Sequence, residues 1–134
     1  MNQNSNTEGK RNFIIVDDDH INNLLCKKVI TNIFPDADVQ AFTDSEAALI
    51  YITTMYGNSI DRNVVLFLDI NMPTLAGWEF LEAFEGFDKS VKERLKIYIL
   101  SSSVDHRDKY RAAKNKNVCG YIEKPLSQDW FRRA

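Results

Sequence analysis

The sequence predicts an α/β protein built on a doubly wound parallel sheet, and three observations carry that expectation. Short apolar runs rich in β-branched residues alternate with longer stretches of helical spacing along the 134 residues. One of those runs, VVLFL (64–68), is apolar at every position, as a strand covered on both faces is and a strand with one wet face is not. The chemically distinctive residues fall directly after the apolar runs, and in open α/β sheets ligands bind beyond the carboxyl ends of the strands.

Taken in order, the opening MNQNSNTEGKRN is polar throughout, so residues 1–11 read as a flexible tail and 12–134 as the folded domain. FIIV (13–16) is the first strand. Ile21, Leu24, Leu25, Val29 and Ile33 then recur at helical spacing and form an apolar stripe, stopped before Pro35. ADVQAF (37–42) is the second strand, after which Thr43 and Glu46 form a capping box for a helix running to Tyr56. VVLFL follows, and Gly77, Phe80, Leu81, Phe84 and Phe87 mark a third helix. EGFDKSVKERLK (85–96) reads as a long connection to the strand IYIL (97–100). Residues 103–117 are helical, capped at Ser103 or Asp105, with Tyr110 and Ala113 as the clearest apolar positions. VCGYI (118–122) is the fifth strand and SQDWFRRA a short closing helix. Right-handed crossovers fold such an alternation into a sheet with helices on both faces.

Composition narrows the function. Hydrophobic residues make up 44% and charged residues 27%, ordinary for a globular domain, and a net charge of −2 points away from nucleic acid as a direct partner. No apolar run approaches a membrane span and the start lacks the core of a signal peptide, so the cytoplasm is the expected location. Cys26 and Cys119 have no metal-ligand spacing and read as reduced thiols. Trp78 and Trp130 read as packing residues, and His20 and His106 as ordinary.

The strand ends supply the constellation. Asp17, Asp18 and Asp19 follow the first strand; Asp69 follows VVLFL; Ser101, Ser102 and Ser103 follow IYIL; Lys124 and Pro125 follow GYIE. The first strand–helix turn contains no glycine, which excludes a dinucleotide fingerprint or a P-loop there. An acid cluster calls for a cation, and all-oxygen donors call for a hard one. Mg²⁺ is the natural choice, since it accepts a couple of carboxylates, waters and a phosphoryl oxygen. Asp19 reads as helix-terminus acid and stays outside this set.

VDDD (16–19), LDINMP (68–73) with Gly77 following, ILSS (99–102) and YIEKP (121–125), in that order, resemble the receiver domain of two-component response regulators over roughly residues 12–134. The resemblance implies a five-stranded parallel sheet of order 2-1-3-4-5, flavodoxin-like, as in chemotaxis regulators. It implies Asp69 as phosphoacceptor, with Mg²⁺ ligated by Asp18, Asp69 and the backbone carbonyl of Asn71, and by Asp17 mainly through water. Ser101 matches the hydroxyl that hydrogen-bonds the phosphoryl group, Lys124 the lysine that pairs with it, Pro125 a proline after a cis peptide bond, and Tyr121 the aromatic whose rotamer reports activation. Serine at 101 is a variant of the more usual threonine. The implied protein is a signalling domain that catalyses its own phosphorylation and dephosphorylation, not an enzyme with a separate substrate. Its implied partners are a sensor histidine kinase or histidine phosphotransfer protein, and a downstream protein bound through the fourth helix, fifth strand and fifth helix, with no nucleic acid or membrane. Two alternatives stand beside it: a receiver-like binding module that signals without phosphorylation, and a Mg²⁺-dependent phosphohydrolase with an aspartate nucleophile, which would want an acid where Asn71 stands. The short final helix ending at Ala134 leaves open a stand-alone domain or a fragment of a larger regulator.

Overall fold

Five parallel strands, β1 (Asn12–Val16), β2 (Asp38–Phe42), β3 (Val64–Leu68), β4 (Leu95–Ser101) and β5 (Val118–Glu123), form one sheet in the order β2-β1-β3-β4-β5. This computed structural model describes residues 11–57, 63–71, 77–102 and 105–133; the polar segment at 1–10, Pro73 of the LDINMP motif and Ser103 lie outside them. The helices are α1 (His20–Ile33), α2 (Ser45–Tyr56), α3 (Gly77–Glu85), the four-residue α4 (Lys89–Lys92), α5 (His106–Lys114) and α6 (Gln128–Arg133). None of the described helices is long and apolar enough to cross a membrane.

Successive strand residues point to opposite faces, so each apolar run feeds two cores. On one face Ile14, Val16, Leu66, Leu68, Ile97 and Ile99 pack against Ala48 and Ile52 of α2 and Phe80, Leu81 and Phe84 of α3. On the other, Phe13, Ile15, Phe67 and Leu100 meet Cys26 and Ile30 of α1, with Leu126. Each fully buried Val, Leu, Ile or Phe contributes roughly 1.5–3 kcal/mol. The second face also holds α6: Trp130 sits edge-on to Tyr98 and Phe67, centroids 4.9 and 5.6 Å away, and Phe131 edge-on to Phe13 at 6.1 Å. Trp78 packs against the first core, with the Arg111 guanidinium 4.3 Å from its ring centre.

Four local expectations are corrected. The first part of the stripe along α1 does not face the core: Ile21, Leu24 and Leu25 are exposed, while Asn22, Asn23, Cys26 and Ile30 are buried; Val29, further along, does pack against the second core. Hydrogen bonds from the two asparagines to Asp17, described below, set the rotation of the helix's first turns. Helix α2 is capped by Asp44, whose carboxylate accepts from the Glu46 N–H at 3.0 Å, so the cap lies one residue after Thr43. Asp44 takes the extended backbone of a cap (φ −120°, ψ 117°), which aims its carboxylate at the second amide of the helix. In α5 the buried residue is Ala112, whereas Tyr110 and Ala113 are exposed; the Tyr110 ring instead carries the Lys114 ammonium 4.5 Å from its centre. Asp105 caps this helix, accepting from the Arg107 N–H at 2.9 Å. Finally, the stretch 85–96 is not one long connection, because α4 and the start of β4 occupy part of it.

Candidate functional site

Register assembles the site. Val16 of β1 is paired with Leu68 of β3, so the next residues, Asp17 and Asp69, emerge side by side. Both continue the ladder, the Asp17 N–H donating to the Phe42 carbonyl at 3.0 Å and the Asp69 N–H to the Val16 carbonyl at 2.9 Å. Leu68 is paired with Ile99, which sets Ser101 at the end of β4 just beyond Asp69, and Ser101 is paired with Glu123, so Lys124 comes next. The Lys124 N–H donates to the Ser101 carbonyl at 2.8 Å, and the Lys124–Pro125 peptide bond is cis. Gly77 opens α3 against this turn: a Cβ there would stand 2.8 Å from the Asp69 carbonyl oxygen, so only glycine lets the helix seat so closely.

Carboxylate oxygens of Asp17, Asp18 and Asp69 lie within 4.8 Å of one another. Asp17 and Asp69 are buried, 1% and 6% exposed, while Asp18 faces solvent. The Lys124 ammonium reaches both buried acids, at 2.7 Å from Asp17 Oδ2 and 3.6 Å from Asp69 Oδ2. Asp69 Oδ1 accepts from the Asn71 N–H at 3.0 Å, and the Asn71 side-chain amide donates to the buried Ser101 Oγ at 3.3 Å. Tyr121 stands on β5 opposite Ile99, half-buried, on the flank packed against the first core, with the Lys109 ammonium 5.9 Å from its ring centre.

The electrostatics are unbalanced. Two like charges 4.8 Å apart repel by about 3.5 kcal/mol at an effective dielectric near 20. Burial pushes the Asp69 carboxyl above its ordinary range; the Asn71 N–H pulls it down, Asp17 adds to the rise and Lys124 opposes it. Burial acts to lower the Lys124 ammonium, but the Asp17 hydrogen bond and the charges of Asp69 and Asp17 outweigh it and hold the amine above its ordinary value. Three carboxylates thus crowd together while the Lys124 ammonium pairs with two of them, and the metal-ligating side chains grouped there among the described residues offer oxygen alone. That donor set and charge deficit fit a hard divalent cation.

Two groups at the site escape a reading of strand ends alone. Asn22 donates from Nδ2 to Asp17 Oδ2 at 2.7 Å, and Asn23 from Nδ2 to the Asp17 carbonyl at 3.0 Å. The signal for them is the pair of adjacent amides in the first turn of the helix after the acid triplet, where apolar residues are expected to be buried. Asp19, outside the cluster, caps α1 by accepting from the Ile21 and Asn22 N–H groups. Both cysteines are free; burial, with the Asp17 charge, pushes the Cys26 thiol up to about 11, so it is protonated at neutral pH and no nucleophile.

Among known proteins, solved structures similar to this chain include a response regulator receiver protein from Dyadobacter fermentans, 26% identical, covering 92% of this chain and 93% of its own at a TM-score of 0.83. A two component response regulator from Cytophaga hutchinsonii is 28% identical over 92% of each chain, with a TM-score of 0.81. Chemotaxis protein CheY4 of Vibrio cholerae, 19% identical over 92% of this chain and 94% of its own, shares the fold at a TM-score of 0.73. No sequence among curated proteins matches. The family model for the response regulator receiver domain matches residues 13–134, and the chain belongs to that family: it is a receiver domain of the two-component response regulator type.

Proposed function

We propose that Asp69 is the phosphoacceptor of a Mg²⁺-dependent transfer from a phosphohistidine donor, a sensor histidine kinase or a histidine phosphotransfer protein in the cytoplasm. The observation that carries this reading is the clustering of three carboxylates, the two buried ones paired with the half-buried ammonium of Lys124, whose Nζ lies 3.6 Å from Asp69 Oδ2. A carboxylate is a weak nucleophile, but phosphoryl transfer passes through a loose transition state in which positioning and charge neutralisation supply most of the catalysis. The Asn71 N–H holds Asp69 Oδ1, which orients the carboxylate so that Oδ2, on the lysine side, attacks phosphorus. An O–P bond forms, the P–N bond to the donor histidine breaks, and the product is an acyl phosphate.

Asp17, Asp18 and Asp69 with the Asn71 carbonyl would hold Mg²⁺, which supplies charge neutralisation at the phosphoryl oxygens when bound. Lys124 turns from Asp17 toward the new phosphoryl oxygens, where an ammonium is worth more than in water. Ser101, fixed beside Asp69 by the Asn71 amide, donates its hydroxyl to the phosphoryl group. Its movement draws Tyr121 after it and alters the face made by α5, β5 and α6, through which a downstream protein reads the state.

Intact-mass measurement tests this directly. A small acyl-phosphate donor with Mg²⁺ should add one phosphoryl group to the wild-type chain and none to Asp69→Ala, and none to either with a chelator present. An unchanged mass, or an adduct that survives Asp69→Ala, overturns the assignment; turnover of a phosphate ester far beyond one equivalent would point instead to a hydrolase.

A further inference from the structure

Helix α1 begins the wrong way round for a helix that covers a sheet. Asn22 and Asn23 are 9% and 4% exposed, while Ile21, Leu24 and Leu25 are 67%, 63% and 56% exposed. Buried amides need hydrogen-bond partners, and both of these find one on the same residue. Asn22 Nδ2 lies 2.7 Å from Asp17 Oδ2, the oxygen that also receives the Lys124 ammonium at 2.7 Å. Asn23 Nδ2 donates to the Asp17 carbonyl at 3.0 Å, and the Asp19 N–H donates to Asp17 Oδ1 at 2.9 Å. The same Asn22 Nδ2 also donates to Cys26 Sγ at 3.6 Å, one turn along the helix.

The geometry points to Asn22 as a positioning residue of the acid site, with Asn23 as the backbone arm of the same clamp. This rests on the proposed role of Asp17 beside a divalent cation. Two donors share Asp17 Oδ2, and in the transfer proposed above one of them, Lys124, departs for the phosphoryl oxygens. A carboxylate 1% exposed has almost no solvent to replace a lost donor. Asn22 stays, and keeps the carboxylate in the orientation a cation requires. Its neutrality matters: a cationic side chain at this point would fill the charge deficit that draws a divalent ion, and an acidic one would add a further carboxylate to an overfull cluster. An amide orients without doing either. Groups that orient metal-binding side chains in this way typically change metal affinity 10–100-fold when removed.

The test is Mg²⁺ affinity of the full chain, unphosphorylated, by calorimetry. Wild type is compared with Asn22→Leu, which removes the donor at similar volume, with Asp17→Asn, and with Ile30→Val, a packing control on the same buried face of α1. Asn22→Leu should bind Mg²⁺ 10–100-fold more weakly. Ile30→Val should bind as wild type does, and at saturating Mg²⁺ the phosphorylation rate of Asn22→Leu should return to within about threefold of wild type, as an effect on site occupancy requires. If Asn22→Leu fails to fold, Asn22→Ala is read in the same way. Wild-type Mg²⁺ affinity in the Asn22 variant, or an equal loss in Ile30→Val, overturns the role of Asn22 while leaving the site standing. Absence of Mg²⁺ uptake by wild type, or uptake unchanged by Asp17→Asn, overturns the site itself and this inference with it.

Discussion

The two ends of the sheet carry opposite kinds of charge cluster. Beyond the carboxyl ends of the strands, Asp17, Asp18 and Asp69 cluster, and the two buried acids, Asp17 and Asp69, share the ammonium of Lys124. At the other end, where α3 finishes and β5 is about to start, the lone carboxylate of Glu85 is met by Lys116 at 3.1 Å, Lys92 at 3.5 Å and the Asn117 amide. Its side chain is 44% exposed. The first cluster has more acid than base and little solvent; the second has more base than acid and ample solvent. The pKa directions follow, with burial raising Asp69 and the Asn117 and Lys116 hydrogen bonds lowering Glu85 to about 2. Excess acid held out of water is poised to bind something, whereas an acid fully answered by bases in water merely ties α3, α4 and the turn before β5 together.

The sharpest way to break this comparison is to remove the one ammonium from the buried end. Lys124→Met leaves Asp17 and Asp69 without their cation, and removing one partner of a buried ion pair costs about 3–5 kcal/mol. Because the Lys124 side chain keeps 17% of its exposure, the lower end of that range, about 3 kcal/mol, is expected from urea unfolding in metal-free buffer. Adding Asp17→Asn to the same chain should recover most of the loss. A cost under about 1 kcal/mol would mean that the buried end behaves like an ordinary surface pair.

Next in size is the opposite effect at the same place. Asp69→Asn keeps the shape, retains an oxygen to accept from the Asn71 N–H, and deletes a carboxylate from a cluster with too many. It should stabilise the metal-free chain by on the order of 1 kcal/mol while abolishing phosphorylation. A loss of stability would show that Lys124 already neutralises Asp69 in full. A gain would mark the acid cluster as stability given up for function, the usual position of a working site.

How much of this was legible follows from what kind of physics set each part. The strands and their doubly wound parallel arrangement were, because VVLFL is apolar on both faces and parallel pairing then leaves few topologies, while the order of the strands came from the family resemblance. The meeting of Asp17 with Asp69 was too, since residues that end neighbouring strands in register must emerge together. The rotation of α1 was not. Hydrophobic periodicity weighs Ile21, Leu24 and Leu25 against solvent and has no term for two amides bonded to Asp17, and the amides decided the matter. Tyr110 was misread for a related reason, because an aromatic ring covered by a lysine is content at the surface. The four residues of α4 are too few to show any period.

The smallest effect separates the two ends by sign rather than size. At neutral pH Glu85→Gln should move the urea midpoint less than either substitution above, since the group is exposed and screened. Its folded-state pKa of about 2 lies below the ordinary 4.5, so its contribution is complete above the ordinary value and fades as the pH falls toward 2. Asp69 runs the other way. Its raised pKa means that the folded state favours the protonated acid, so its contribution is complete below the ordinary 3.8 and is lost as the pH climbs through the raised value. Urea midpoints of wild type, Glu85→Gln and Asp69→Asn, followed without metal from neutral to acid pH, should therefore show two shrinking gaps of opposite sign. Wild type begins above Glu85→Gln and converges on it, because protonation removes the charge that Lys116 and Lys92 hold. Asp69→Asn begins above wild type and wild type rises to meet it, because a protonated Asp69 is electrically the asparagine. Gaps of the same sign would mean that burial does not distinguish the two clusters, and the contrast between a poised site and a surface clasp would fall with it.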